Sequence, residues 1–151
     1  MAENKVNIKN KQAYFDYEII EKFIAGIMLT GTEIKSVRES KASIKEAYCV
    51  VVKEEVFIRN MTINEYSKGG HYNHEPKRDR KLLLNRTEIN KLTKGVQQKG
   101  FTIVPLHMFI TDKGLAKIEI ALAQGKKVHD KRESIKEKDV KRELDRVKKQ
   151  F

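Results

Sequence analysis

Hydrophobic and polar positions alternate along several short stretches of this chain, which is the pattern of half-buried β-strands. Residues 47–52 and 56–61 flank the polar sequence Lys53-Glu54-Glu55 and predict a β-hairpin. Residues 101–110 and 115–123 predict a second pair of strands joined by a short polar turn. The even-numbered positions of the last strand are apolar, so this strand should bury one of its faces.

The pattern is less regular between residues 13 and 29, where β-prone aromatic and branched residues predominate. We predict one or two strands there, with a bend near Gly26. Residues 30–33 interrupt this run, and the sequence from Ile34 to Arg38 predicts a short helix with a basic face.

The clearest helix signal begins at Asn85, which can cap a helix while Glu88 reaches back to the cap. Gly100 is expected to end this helix. Its apolar stripe consists of Ile89, Leu92 and Val96. Because strands predominate and follow one another without regular helices between them, we expect a mainly β, antiparallel barrel rather than a layered α/β fold.

Residues 64–80 are polar, contain Gly69-Gly70 and Pro76, and predict an exposed loop. A connection of this length in a compact domain is usually functional. We divide the chain into a polar segment 1–12, a barrel domain 13–123 and a basic tail 124–151.

The tail combines high charge with a helical pattern. It holds 11 Lys or Arg and 6 Asp or Glu, with few large apolar residues, so it should be disordered when free. Ser134 and Glu137 nevertheless form a capping-box pattern ahead of one apolar stripe. That stripe consists of Val140, Leu144, Val147 and Phe151. A tail of this kind indicates folding on a polyanion, for which RNA is the first candidate.

The charge of the whole chain supports nucleic acid as the partner. Its 32 Lys or Arg and 21 Asp or Glu give a net charge of +11, and the excess is shared between the tail and the rest. No apolar run is long enough to span a bilayer, and the polar N-terminus predicts no signal peptide. Cys49 is the only cysteine, which excludes an internal disulfide and fits a cytosolic protein.

Three charged segments are candidate RNA contacts. The run from His74 to Lys81 places four cations before an apolar triplet, and its alternative is a solvated loop. Residues 33–38 place Glu33 beside Lys35 and Arg38; the carboxylate could accept hydrogen bonds from bases, or the helix could simply face solvent. Residues 125–132 combine a glycine, clustered cations and His129, and the alternative is a charged linker. We expect no metal site and no cofactor, because no pattern of metal-binding or catalytic residues accompanies the histidines.

Five segments, in this order, resemble the SsrA-binding protein (SmpB) family, the partners of transfer-messenger RNA in bacterial trans-translation. They are residues 10–17 (Asn10-Lys11-Gln12-Ala13 with Asp16-Tyr17), 25–38 (Ala25-Gly26 to Val37-Arg38), 60–66 (Asn60-Met61-Thr62-Ile63 with Tyr66), 74–84 (His74-Glu75-Pro76 to Leu84) and 122–132 (Leu122-Ala123-Gln124 to Arg132). The resemblance extends from about residue 8 to the end of the chain.

This resemblance implies an oligonucleotide-binding type β-barrel with about three flanking helices and a non-enzymatic function. It implies that the barrel binds the tRNA-like domain of transfer-messenger RNA. The tail would become helical in the mRNA channel of the ribosome and meet the small-subunit decoding centre. Elongation factor Tu would be an indirect partner through aminoacylated transfer-messenger RNA, and no membrane would be involved.

The resemblance also assigns residues by position. Expected RNA contacts are Asn10, Lys11, Glu33, Lys35, Arg38, Asn60, His74, Lys77, Arg78, Arg80, Lys81, Leu83, Lys117, Lys126 and Lys127. Expected ribosome contacts in the tail are His129, Asp130, Lys131, Arg132, Lys136, Lys141 and Arg142. One departure matters: many relatives carry Glu where this chain has Ile24. Gln12 also replaces a commonly basic residue, which should weaken a phosphate contact only slightly.

Two other functions fit parts of the sequence. A general barrel-type protein that binds ribosomal RNA or single strands would share the charge and the fold, but would not prefer a tRNA-like elbow. A small nuclease using His129 or His74 would cleave RNA.

Overall fold

A computed structural model describes residues 6–126 and shows an antiparallel β-barrel. The strands are β1 (Asn7–Lys9), β2 (Tyr17–Ile27), β3 (Ala42–Ser43), β4 (Tyr48–Val52), β5 (Glu55–Arg59), β6 (Thr62–Ile63), β7 (Arg80–Leu83), β8 (Phe101–Ile110) and β9 (Ala116–Gly125). The helices are α1 (Lys11–Asp16), α2 (Gly31–Arg38) and α3 (Arg86–Val96), with a 3-10 turn at Gly70–Tyr72.

The main sheet closes on itself. Its strand order is β1-β8-β4-β5-β7-β2-β9, and β8 also pairs with β9, which completes the ring. β1 adds to the far end of β8, while β3 and β6 form a separate two-stranded ladder beside α2. Closure removes the free edges that would otherwise be open to pairing with another chain.

The inward faces of the strands form one apolar core. Along β9, Ile118 and Ile120 are fully buried, while Lys117 and Glu119 between them are partly exposed. Leu92 of α3 completes the core at one end of the barrel. A smaller cluster forms where Ala13 of α1 packs beside Val104 and Leu106.

The predicted hairpins and the third helix are confirmed. β4 and β5 pair around Lys53 and Glu54, and β8 spans the predicted residues 101–110. α3 begins after a capping box between Asn85 and Glu88, but it ends at Val96, before Gly100.

The prediction of strand structure from residue 13 was wrong for residues 13–16, which belong to α1. Ala13 of that helix is buried against β8 and β9, so tertiary packing outweighs the β-propensity of the neighbouring aromatics. The bend predicted near Gly26 does not interrupt the strand. β2 continues to Ile27, and its register shift lies between Ile19 and Glu21.

The described fold extends beyond the predicted limits of the barrel domain on both sides. β1 precedes residue 13, and β9 ends at Gly125. Hydrogen bonds fasten the end of β9: Gly125 N–H donates to the Gly100 carbonyl, and Lys126 N–H donates to that of Asp16. The helix predicted for the tail lies outside the described residues, as do Lys127, His129, Asp130, Lys131, Arg132, Lys136, Lys141 and Arg142. No helix in the part of the chain that the structure describes is long and apolar enough to cross a membrane.

Candidate nucleic-acid interface

A buried carboxylate joins helix α2 to the segment before β7. The side chain of Glu33 has no exposed surface, and its two oxygens accept from different arginines. Arg78 Nη2 donates to Oε1 at 2.6 Å, and Arg80 Nε donates to Oε2. We call these three residues the Glu33 cluster. The cluster joins helix α2 to Arg78, which lies 45 residues after Glu33 in the sequence.

The capping box of α2 places Glu33 in this position. Thr30 Oγ1 accepts from the Glu33 N–H, and Glu33 Oε1 accepts from the Thr30 N–H at 2.8 Å. The same oxygen therefore caps the helix and binds Arg78. Arg80, which is also fully buried, donates its remaining N–H groups to the carbonyls of Met61 and Pro76.

A second set of hydrogen bonds holds the same segment. His74 is buried, and its ring nitrogens contact Thr32 Oγ1 and the Ile63 carbonyl, each at 2.9 Å. Asn73 bridges to Tyr66: its Nδ2 donates to the Tyr66 carbonyl, and its Oδ1 accepts from the Tyr66 N–H. The end of the loop that we predicted to be exposed is therefore partly buried. Its polar groups tolerate burial because they form hydrogen bonds inside the protein.

The electrostatics of the cluster favour its charged form. Burial raises the pKa of the Glu33 carboxyl, but hydrogen bonds from Arg78, the Thr30 N–H and Arg80 outweigh it and hold the pKa below its ordinary value. Burial lowers the pKa of the Arg80 guanidinium, and the Glu33 carboxylate opposes that effect.

A row of residues crosses the outer face of the barrel at β7, β2 and β9. Gly26 lies directly opposite Leu83 on one side and Lys117 on the other. Leu83 is 52% exposed and Lys117 is partly exposed. A Cβ at Gly26 would lie 3.3 Å from the Cβ of Leu83. Because glycine has no side chain, it leaves a gap on the outer face between Leu83 and Lys117. Ile24, two residues earlier on β2, is also half exposed.

Helix α2 presents exposed cations on the side away from the core. Lys35 lies over the ring of Tyr66, 5.5 Å from its centroid. Arg38 is exposed at the end of the helix, and its Nη2 would lie 3.7 Å from a Cβ at Gly114 in the β8–β9 turn. Lys77 is exposed on the segment that the Glu33 cluster holds.

The other expected contact residues are distributed around the barrel. Lys11 is exposed at the start of α1 and lines a groove with Lys9, Tyr14 and His107. Lys81 is half-buried and pairs with Glu55 at 3.3 Å.

Asn60 is exposed after β5, with φ 61° in the left-handed region that Asn tolerates. Lys126 is half-buried and its Nζ donates to the Tyr14 carbonyl.

Burial changes the role of four residues that we expected to contact RNA directly. Asn10, Glu33, His74 and Arg80 each expose less than a tenth of their surface, so their side chains are not available for direct contact with a ligand. Asn10 instead donates to the carbonyls of Pro105 and Ile44, which joins α1 to the barrel. The expectation that Glu33 lies on a solvent-facing helix surface was wrong, because two arginines and the helix cap enclose its carboxylate.

Sequence reasoning missed three residues that shape this surface. Thr32 holds His74, and Asn73 holds Tyr66, so both help to fix the segment. Gly26 leaves the gap between Leu83 and Lys117 on the outer face. The spacing of Thr30 and Glu33 matches a capping box, so the start of α2 carried a readable signal. The pairing of Glu33 with two arginines had no local signal, because the partners are distant in sequence.

Three comparisons place the chain among known proteins. A family model described as SmpB protein matches residues 7–150. The SsrA-binding protein of Cytophaga hutchinsonii is 58% identical over 142 residues, which cover 94% of this chain and 93% of that protein. The SsrA-binding protein of Christiangramia forsetii is 53% identical over 148 residues, which cover 98% and 94% of the two chains.

A chain in a solved tmRNA–SmpB structure of the bacterial ribosome is similar in fold. It superimposes with a TM-score of 0.69 and 41% sequence identity, over 82% of this chain and 86% of that chain. The family model extends through most of the tail. Because the similarity runs along nearly the whole length in both sequence and fold, this chain belongs to the SmpB family.

Proposed function

We propose that this protein is an RNA-binding adaptor that binds the tRNA-like domain of transfer-messenger RNA and delivers it to stalled ribosomes. The observation that carries this proposal is the sequence similarity to SsrA-binding proteins over nearly the whole chain, together with the match to a tmRNA–SmpB chain. The adaptor binds and does not catalyse, and its place of action is the cytoplasm.

The surface of the barrel has the chemistry that this function requires. Exposed Lys35, Arg38 and Lys77 can contact phosphate oxygens, which supply most of the affinity for nucleic acids. The row of Leu83, Gly26 and Lys117 offers an apolar side chain beside a cation, a combination that suits unpaired bases and their phosphates. We assign the direct RNA contacts to the exposed and half-exposed members of the predicted set.

Ile24 changes one contact of this surface. Its side chain cannot accept a hydrogen bond, whereas the Glu found in many relatives can. We propose that Ile24 provides apolar contact beside Leu83 instead. Ile24→Glu exchanges this apolar contact for the hydrogen-bond acceptor that many relatives carry. The variant should therefore keep its affinity for transfer-messenger RNA within about threefold.

The tail performs the ribosomal part of the function. We propose that residues 127–151 become helical in the mRNA channel, with His129 at the decoding centre and the cations after it on ribosomal RNA. Elongation factor Tu is then an indirect partner, through aminoacylated transfer-messenger RNA.

Competition between RNAs tests the proposal. Labelled transfer-messenger RNA bound to the full chain is challenged with unlabelled transfer-messenger RNA or with poly(U) at equal nucleotide concentration and fixed salt. We expect transfer-messenger RNA to compete at least a hundredfold better, because only it presents the tRNA-like elbow. Equal competition would favour a general RNA-binding protein, and cleavage of the labelled RNA would favour a nuclease.

A second experiment separates the tail from the barrel. Leu144→Pro should leave RNA binding unchanged and abolish peptide tagging on stalled ribosomes, because proline costs about 3 kcal/mol inside a helix. Lys149→Pro, near the end of the predicted helix, serves as the control and should tag better than Leu144→Pro. Full tagging by Leu144→Pro would overturn the assignment of the tail.

A further inference from the structure

The Glu33 cluster is unusual because one fully buried carboxylate binds two arginines, one of which reaches the protein surface. Glu33 and Arg80 have no exposed side-chain area, whereas the Arg78 side chain remains 40% exposed. One end of the cluster therefore lies in the protein interior and the other at the surface that carries Lys77.

The segment from residue 73 to residue 80 has little regular structure of its own to hold it. It extends from the end of the 3-10 turn to the first residue of β7, and hydrogen bonds from the Arg80 side chain and from the backbone of β6 hold it. Arg80 donates to the carbonyls of Glu75 and Pro76, and Pro76 accepts in turn from the Ile63 N–H. Arg80 is held by Glu33, so the position of this backbone depends on that carboxylate.

Glu33 also restricts the guanidinium of Arg78. Nη2 of Arg78 is bound to Glu33, and Nη1 donates to the Asp79 carbonyl at 3.3 Å. An arginine held by a buried carboxylate loses less side-chain freedom when it meets a phosphate, because part of that freedom is already lost in the free protein.

We propose that Glu33 is a positioning residue for RNA binding: it touches no RNA, and it acts by holding Arg78 and the segment 73–80 in their RNA-binding arrangement over helix α2. The inference rests on the proposed function, since it assigns how one part of that interface is organised. It replaces the direct contact with bases that the sequence predicted for Glu33.

The chain contains a matched control for this residue. Glu88 occupies the same position in the capping box of α3 that Glu33 occupies in α2, and its Oε1 accepts from the Asn85 N–H at 3.0 Å. No arginine pairs with Glu88 in the part of the chain that the structure describes. Glu33→Gln and Glu88→Gln therefore make the same chemical change and raise the net charge by the same unit.

The experiment measures the affinity of the full-length variants for transfer-messenger RNA at one salt concentration. We expect Glu33→Gln to bind about tenfold more weakly, despite its added positive charge, because one positioned charge-assisted contact is lost. Glu88→Gln should bind as the unchanged protein does. Amide hydrogen exchange in residues 73–80 should be faster in Glu33→Gln and unchanged in Glu88→Gln.

A double-variant cycle distinguishes positioning from general loss of structure. Because part of the effect of Glu33 passes through Arg78, Glu33→Gln should weaken binding by a smaller factor in an Arg78→Ala background than in the unchanged protein. Independent losses that multiply would overturn the proposal. Should Glu33→Gln fail to fold, Glu33→Met with Arg80→Met replaces the buried pair by apolar groups of similar length and is expected to fold. That variant should still bind weakly, and full affinity would again overturn the proposal.

The outcome separates this inference from the proposed function. If the unchanged protein does not prefer transfer-messenger RNA, the proposed function is wrong. If it does, and Glu33→Gln binds as tightly as Glu88→Gln, only the positioning role is wrong.

Discussion

At the scale of single residues, Glu33 shows how one carboxylate can connect helix capping, core electrostatics and a surface loop. Its partners are a backbone N–H and two guanidinium groups, so removing its charge leaves Arg80 buried without a counter-charge. An unpaired buried charge is among the most destabilising consequences of a single substitution.

This arrangement predicts a pH-dependent difference in stability. The pKa of folded Glu33 lies below its ordinary value, so its contribution is fully present above the unfolded pKa of about 4.3 and is lost as the pH falls through the lower folded pKa. We expect Glu33→Gln to lower the free energy of unfolding by about 3 kcal/mol at pH 7, and by less at pH 3. Urea denaturation at both pH values measures it. An equal loss of unfolding free energy at pH 7 and at pH 3 would contradict the assignment of a charged, buried Glu33.

Gly95 gives a second prediction at this scale. A Cβ at this position of α3 would lie 2.7 Å from Leu122 Cδ1 of β9, and both residues are buried. Gly95→Ala should therefore destabilise the protein by about 1–3 kcal/mol, although alanine is the better helix former. Gly31→Ala meets no atom within 4 Å and should be neutral or stabilising. Thermal melting of both variants measures the contrast, and a stabilised Gly95→Ala would show that Leu122 moves freely.

At the scale of elements, sequence reasoning succeeded where the signal is local and failed where it is not. α3 and the β4–β5 and β8–β9 hairpins follow from caps, alternation and turn residues within about 20 positions. β1, β7 and α1 are short, and their formation depends on pairing or packing with distant strands. The same limit applies to the interface: exposed cations were identified by type, while the buried status of Asn10, His74 and Arg80 depends on partners elsewhere in the chain.

The β4–β5 turn gives the prediction for an element. Lys53 and Glu54 both have positive φ, 49° and 65°, which is the conformation of a type I′ turn. Neither residue favours it, whereas Asn-Gly does. Lys53→Asn with Glu54→Gly should raise the free energy of unfolding by about 1 kcal/mol, with RNA affinity unchanged at matched charge. Unfolding in urea checks this, and a loss of stability would mean that the Glu54–Arg86 contact outweighs the turn.

At the scale of the whole molecule, the proposed function divides the work of binding between the barrel and the tail. The excess of positive charge is present on both, and the exposed cations of the barrel include Lys35 and Arg38 of α2 and Lys77 of the segment 73–80. The barrel should therefore bind folded RNA by itself, and do so with a strong dependence on salt.

Two measurements test this division. If about six phosphates are neutralised, the slope of log K against log salt for the full chain should lie between about −4 and −5.5. A chain truncated after Lys126 should retain most of its preference for transfer-messenger RNA over poly(U). A slope near zero, or a truncated chain that no longer distinguishes the two RNAs, would contradict the division.

The fastening of β9 has a geometric consequence for the 25 residues that follow Lys126. Lys126 is bound through its N–H to the Asp16 carbonyl and through Nζ to the Tyr14 carbonyl, so the last described residue is held at a fixed position on the barrel. In a helix, each inserted residue rotates everything after it by about 100° and advances it by about 1.5 Å.

If the helix proposed for residues 127–151 continues without a break from Lys126, two alanines inserted after Lys126 turn the stripe of Val140, Leu144, Val147 and Phe151 through about 200° while shifting it by only about 3 Å. We expect such an insertion to abolish peptide tagging without changing RNA affinity, and undiminished tagging would mean that the junction swivels. If the insertion does abolish tagging, the barrel determines the rotational orientation of the tail helix as well as its starting point.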